Sequence, residues 1–282
     1  MIWKTSHLNW DLQGIPRVMG ILNVTPDSFS DGGSFSDVPR AVDRALQMAD
    51  EGAAMIDVGG ESTRPNAVPV NESEELRRVL PVIKEIVRQS SVPVSIDTRK
   101  VQVAREALEA GAVIVNDVEA KRTDPSMWKT VAQFGAGYIA MHMQGDPRDM
   151  QQRPRYRNVV DEVLEFFRQG IDRMMASGVK KEQVMLDVGI GFGKTLDHNL
   201  ALLRALESFH HLGCPLLLGV SRKSLFEALL HVHNPRERLP AGLACACWAM
   251  ERGVSIIRTH DVGETVQALG MWQALKPSKR ND

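Results

Sequence analysis

RVMGILNVTPDSFSDGG, residues 17–33, decides the fold. An apolar run rich in Val, Ile and Leu stops at Asn23. A polar stretch with aspartates, hydroxyls and a glycine pair then precedes the next helix-period segment. Connections in compact domains usually take about 4–6 residues, so a longer polar one points to function. The same grammar recurs along the chain. Further apolar runs are read as strands at 54–60, 92–98, 113–118, 138–143, 184–189, 216–221 and 255–261. Near-continuous apolar character marks strands covered on both faces, as in a parallel sheet. Helical periodicity fills the intervals at 37–51, 72–89, 99–110, 126–134, 158–177, 198–209, 237–252 and 262–275. Pro81 sits inside the second of these and is expected to kink or divide it. Eight strands alternating with helices predict an α/β fold, a closed (β/α)8 TIM barrel. One domain is expected over 1–282, with a short N-terminal extension at 1–16 and a frayed tail at 276–282.

Composition narrows the function. The chain has 282 residues, 43% hydrophobic and 24% charged, with a formal net charge of −1. Such a balance gives no polybasic footprint for nucleic acid or a membrane surface, so any anion site is local. The N-terminal MIWKTSHLNWDLQG does not read as a secretory signal, and no stretch approaches the ~18–20 apolar residues of a membrane span. Cys214, Cys245 and Cys247 stand in apolar contexts and read as buried reduced thiols of a cytoplasmic protein.

In barrels of this kind the active site lies at the C-terminal ends of the strands. Here every run ends in hydrogen-bonding or ionisable groups: Asn23, Asp57, Asp97, Asn116-Asp117, His142, Asp187, Ser221-Arg222-Lys223 and Arg258-Thr259-His260-Asp261. The opposite ends begin blandly. A single polar strand end often only caps the following turn, but Asp97 at the tip of VSIDT is expected to point into the barrel mouth. Lys223 and Arg258 follow the seventh and eighth strands, a frequent phosphate site in barrels. GIGFGK (189–194) fails the spacing of nucleotide loops and reads as close backbone approach to something flat, with Phe192 as a wall. The histidines at 210, 211, 231 and 233 read as surface residues rather than metal ligands.

Taken together, the motifs resemble dihydropteroate synthase, the folate-pathway family targeted by sulfonamides. The resemblance runs from about residue 17 to 265. It rests on GILNVTPDSFSDGG (20–33), IDVGGESTRP (56–65), SIDT (95–98), ND (116–117), MHMQG (141–145), GFGK (191–194), SRKS (221–224) and IIRTHDV (256–262). It implies that 4-aminobenzoate displaces pyrophosphate from 6-hydroxymethyl-7,8-dihydropterin diphosphate, with Mg²⁺ as cofactor. Asn23 then supplies an oxygen to the metal and the diphosphate. Arg258, His260 and Lys223 assist the leaving group, and Asp97 favours a cationic pterin methylene. Asn116 and Asp187 hydrogen-bond the pterin, Lys223 contacts it and Arg258 stacks over it. Phe29 closes over the aminobenzoate, Ser221 holds its carboxylate, and Thr63 and Arg64 belong to a second mobile loop. The family is typically homodimeric, and LPAGLACACWAM (239–250) would supply part of an interface.

Some residues depart from the family pattern. Asn66 stands where glycine is common after the proline, Val188 replaces a proline, and Ile190 a frequent phenylalanine. The segment VEAKRTDPS (118–126) is more charged than expected. Two other chemistries fit parts of the pattern. A pterin barrel passing a methyl group to a corrinoid would share the Asp/Asn site but needs no diphosphate cluster. A Schiff-base lyase would use Lys223 with its pKa lowered by a neighbouring cation, such as Arg222. A binding-only paralogue would keep the pocket without turnover.

Overall fold

The structure is a computed structural model that describes residues 1–25, 37–62, 69–120, 123–146 and 150–276. A hairpin comes first, β1 (Ile2–Lys4) antiparallel to β2 (Asn9–Asp11). Eight parallel strands follow: β3 (Arg17–Asn23), β4 (Met55–Gly59), β5 (Val94–Asp97), β6 (Ile114–Asp117), β7 (Gly137–Met141), β8 (Val184–Asp187), β9 (Leu216–Gly219) and β10 (Ile256–Thr259). Neighbours pair in sequence order and β10 closes on β3, so the expected barrel is present. The surrounding helices are α1 (Asp37–Asp50), α2 (Glu72–Gln89), α3 (Val101–Glu109), α4 (Ser126–Phe134), α5 (Val159–Ala176), α6 (Leu196–Arg204), α7 (Leu225–Leu230), α8 (Leu239–Glu251) and α9 (Val262–Leu275). Among the described residues, no helix is long and apolar enough to cross a membrane.

Several expectations need correction. Pro81 does not divide α2, which is assigned as one helix over Glu72–Gln89. The proline lies on the exposed face, where the carbonyl it leaves unbonded is free to meet water. Val79, Val82, Ile83 and Ile86 bury the other face, and the Asn71 side chain caps the start by accepting from the Glu74 amide at 2.8 Å. The helix expected at 198–209 is instead α6 followed by a 3₁₀ segment, Leu206–Leu212. Helix α7, in the short LFEALL stretch, was not among the helical intervals read from the sequence, although a helix start near Lys223 was. Of the three cysteines only Cys214 is buried; Cys245 and Cys247 are half-buried, and all are free thiols. Of the tail, Lys276 pairs with Glu251 at 3.0 Å, and the residues beyond it lie outside the described set.

The N-terminal extension is a working part of the fold. Trp3 is fully buried and packs with Met19, Met55, Ile114, Ile139, Met185, Leu217 and Ile256, one side chain from nearly every barrel strand. Its indole Nε1 donates to the Gln183 carbonyl at 2.8 Å. Gly137 makes room for the ring, since a Cβ there would stand 2.7 Å from Trp3. The hairpin therefore plugs the barrel at the end where the strands begin.

Candidate active site

Side chains alternate across a strand, so each residue two positions past that apolar floor also faces the barrel axis. The inward positions above the floor include Asp57 on β4, Asn116 on β6, Asp187 on β8, Gly219 on β9 and Arg258 on β10, with Ile21 on β3 and Met141 on β7 at the same step. Asn23, Gly59 and Asp97 stand one level higher on β3, β4 and β5. The polar strand ends thus converge because the period of two that buries the floor also aims them inward.

Arg258 is the hub. Its Nε donates to Asp57 Oδ2 at 2.6 Å and its Nη2 to Asp97 Oδ2 at 2.6 Å. Asn116 Nδ2 donates to the same Asp57 oxygen at 2.9 Å. Asp187, nearly fully buried, accepts from the Gly189 amide at 2.8 Å. Lys223 donates through Nζ to the Ile190 carbonyl and lies 4.4 Å from the centre of the Phe192 ring. Two inward glycines keep space between these groups. A Cβ on Gly59 would sit 3.5 Å from Asp97 Cβ and 3.8 Å from Asn23 Oδ1; one on Gly219 would sit 3.8 Å from Asp187 Oδ2.

Low dielectric shapes the ionisation. Burial pushes the Asp97 carboxyl up, against the pull of Arg258. Burial also raises Asp187, with Lys223 opposing. Burial and the Arg258 charge bring Lys223 down to about 8, with Asp187 opposing. Arg222, the cation that the Schiff-base alternative would draw on, does not face Lys223. Its backbone takes a left-handed conformation, φ 60°, and its guanidinium pairs with Asp261 at 2.5 Å. On the neighbouring rim, Ser221 Oγ lies 2.9 Å from His260 Nδ1 and accepts from the His260 backbone amide at 3.2 Å.

The structure thus brings Asp97, Asn116, Asp187, Phe192, Lys223 and Arg258 to one mouth, with Asn23 beside Gly59 and the Ser221–His260 pair on the rim. Phe29, Thr63, Arg64 and Asn66 lie outside the described residues. GIGFGK is corrected: its close approach is to the chain itself. Gly189, at φ 68°, leaves room for the His142 carbonyl, and Gly193, at φ 62°, for that of Gln144, which Cβ atoms would meet at 1.9 and 2.2 Å.

Sequence reasoning noticed Asp57, His142 and Lys194 without giving them roles. Asp57 has the inward parity of Met55, which was the available signal. Lys194 is buried, and its Nζ bonds His142 Nδ1 at 3.0 Å, the His142 carbonyl at 3.2 Å and the Phe192 carbonyl at 3.0 Å. It ties the Phe192 turn to the end of β7. Burial lowers its pKa to about 7. The unfolded chain holds that proton up to the ordinary lysine range near ~10.4, so between those values the unfolded state binds more protons and stability rises with pH. Lys194→Met flattens part of that rise, while Lys223 keeps a second part; urea midpoints measured across the window check it. Behind the mouth, Lys100 joins Glu61 (2.6 Å) to fully buried Glu75, a network no sequence pattern announced.

A closed parallel barrel that gathers carboxylates, an amide and cations at the C-terminal mouth is a barrel enzyme for a small polar substrate. The family described as pterin binding enzyme matches residues 19–260, and the chain belongs to it. It is 48% identical to the dihydropteroate synthase of Escherichia coli (strain K12) over 266 residues, 94% of each chain. The Yersinia pestis dihydropteroate synthase in complex with a sulfonamide drug superposes with a TM-score of 0.90 at 44% identity, over 97% of this chain and 98% of that one. The Xanthomonas albilineans dihydropteroate synthase in complex with 7,8-dihydropteroate gives 0.87 at 40%, over 98% and 100%.

Proposed function

We infer that the chain is a dihydropteroate synthase. It condenses 6-hydroxymethyl-7,8-dihydropterin diphosphate with 4-aminobenzoate to give 7,8-dihydropteroate and pyrophosphate, a transferase reaction of folate biosynthesis. The observation that carries this reading is the junction of Asp97, Asn116, Asp187, Lys223 and Arg258 at one barrel mouth, in a member of this family.

The chemistry follows from what each partner lacks. An arylamine is a weak nucleophile, so the larger gain lies in helping the diphosphate leave. The bond from the pterin methylene to the diphosphate oxygen breaks, the bond from that carbon to the amine nitrogen forms, and the amine gives up a proton. Developing charge on the leaving group calls for cations and N–H donors; Arg258 and Lys223 supply the charge and the His260 ring a donor. Asp97 as carboxylate favours positive charge at the methylene. Asp187 accepts donors from the guanidine-like edge of the pterin, and Phe192 with Lys223 walls its face. Ser221, already paired with His260, suits the aminobenzoate carboxylate. Phe29, Thr63 and Arg64 are proposed to close over the bound substrates and exclude water.

Mg²⁺ fits the donor set. The ion takes few protein oxygens and keeps substrate phosphates and waters as its other ligands. Asn23 offers one hard carboxamide oxygen in the space Gly59 leaves open. When bound there, the ion would neutralise diphosphate charge. We further propose a homodimer in the cytoplasm. The exposed Trp248 of α8 and the exposed Met271 and Trp272 of α9 support the dimer, and light scattering tests it.

The first experiment is release of pyrophosphate from purified protein with pterin diphosphate and Mg²⁺, with and without 4-aminobenzoate, quantifying dihydropteroate in parallel. Amine-dependent formation of both products is expected. Pterin binding with neither product would sink the reading and favour a binding-only role.

A further inference from the structure

Asp57 is completely buried, deeper in the barrel than Asp97, and the roles assigned above do not use it. One of its oxygens, Oδ2, accepts from Arg258 Nε at 2.6 Å and from Asn116 Nδ2 at 2.9 Å. Its other oxygen, Oδ1, has no hydrogen-bond partner among the described residues. A carboxylate removed from water is tolerated where charged or hydrogen-bonding donors hold it, and here both holders belong to the substrate site.

We propose that Asp57 is a positioning residue for the pterin diphosphate: it aims Arg258 and Asn116 at the substrate without touching it. The inference rests on the synthase reading.

Two geometric facts carry it. First, an ionised carboxylate only accepts, so the Asn116 amide must turn its NH₂ toward Asp57. Its Oδ1 is thereby left as the group that meets a ligand. Together with the Asp187 carboxylate this gives two acceptors, the complement of a heterocycle edge rich in N–H donors. Without Asp57 the amide is free to turn over, presenting a donor where an acceptor is needed.

Second, Arg258 is held at two of its nitrogens by two different carboxylates. Nε belongs to Asp57 and Nη2 to Asp97. If Asp97 and Arg258 both act on substrate, their mutual contact has to yield when substrate enters. A guanidinium anchored at Nε pivots about that contact and keeps a counter-ion throughout. An arginine whose only carboxylate is Asp97 would have to break its sole ion pair to bind. Arginine suits this double duty because its donors form a rigid planar fork.

The test is Asp57→Asn, assayed for both substrates. We expect KM for the pterin diphosphate to rise about tenfold or more while KM for 4-aminobenzoate stays within about twofold. A general loosening of the barrel would move both constants and the melting temperature together. Combined with Arg258→Lys or Asn116→Ala, the Asp57→Asn effect should shrink to less than about threefold, because residues acting as one unit are not additive. Ser95→Ala is the control for disturbing the barrel interior, since Ser95 pairs in register with Asp57 but its buried hydroxyl has no hydrogen-bond partner among the described residues. If Asp57→Asn does not fold, Asp57→Glu keeps the charge, moves it by one methylene, and reads the same split.

A folded variant with pterin KM and kcat within about twofold of wild type overturns the proposal, and so do fully additive double variants. Wild-type protein that releases neither pyrophosphate nor dihydropteroate overturns the synthase reading first and this inference with it. Active wild type with an indifferent Asp57 overturns this inference alone.

Discussion

Lys223→Ala lowers turnover by at least about tenfold, the equivalent of ~1.4 kcal/mol of transition-state stabilisation, and Asp97→Asn does the same. Lys223 is held by the Ile190 carbonyl and rests against the Phe192 ring, so its ammonium is placed rather than solvated. On the proposed mechanism alanine removes a cation that would stabilise the leaving group, and it also leaves Asp187 without its main opposing charge. At Asp97 the isosteric amide keeps size and hydrogen bonding but loses the negative charge that, on the proposed mechanism, favours a cationic carbon. Steady-state kcat, with circular dichroism to confirm folding, decides. Near-wild-type rates in both variants would overturn the assigned roles. The pH profile adds a sign. Burial raises the Asp97 carboxyl, so the carboxylate is lost at a higher pH than an ordinary aspartate would lose it. Activity therefore falls on the acid side above the usual carboxylate range, and Asp97→Asn abolishes that limb at its lower rate.

Fold and site were legible in the sequence to different depths. Each barrel strand announced itself as an apolar run ending in a polar group, because strands buried on both faces have little alternation to hide behind. The residues at those ends named the mouth, from Asn23 to Arg258. Alternation inside the runs held more than was taken from it. Met55 and Asp57 share a face, and so do Met185 and Asp187, which separates floor from site within a single strand. The Arg258 hub was not legible, because a side chain with several carboxylates in reach chooses by three-dimensional distance. The left-handed backbone at Arg222 was equally hidden: it sends one basic residue to Asp261 and leaves its neighbour at the Ile190 carbonyl and the Phe192 ring. GIGFGK misled for a physical reason. Glycine permits close approach without saying to what, and here the partners were carbonyls of the chain's own β7 loop. The hairpin was missed because strands of three residues carry almost no periodicity.

That hairpin yields the largest expected effect on stability. Trp3→Ala destabilises the fold by about 3–5 kcal/mol, the usual cost of truncating a fully buried tryptophan. The indole shares one buried cluster with seven barrel side chains, and the space cannot collapse easily because those side chains are fixed by a closed sheet. Loss of the Nε1 donor also strands the Gln183 carbonyl, worth a further ~1 kcal/mol or more. Trp3→Phe separates the two terms, keeping most of the apolar volume and losing the hydrogen bond, so it should fall between wild type and alanine. Urea denaturation of the three proteins measures this. Turnover per folded molecule should change little, because the plug closes the end of the barrel opposite the catalytic mouth. A Trp3→Ala protein of wild-type stability would mean that the hairpin rests on the barrel without sealing it. A stable protein with depressed kcat would instead mean that the Met and Ile floor transmits strain upward to Asp57, Asn116 and Asp187, which stand on the same strands as Met55, Ile114 and Met185.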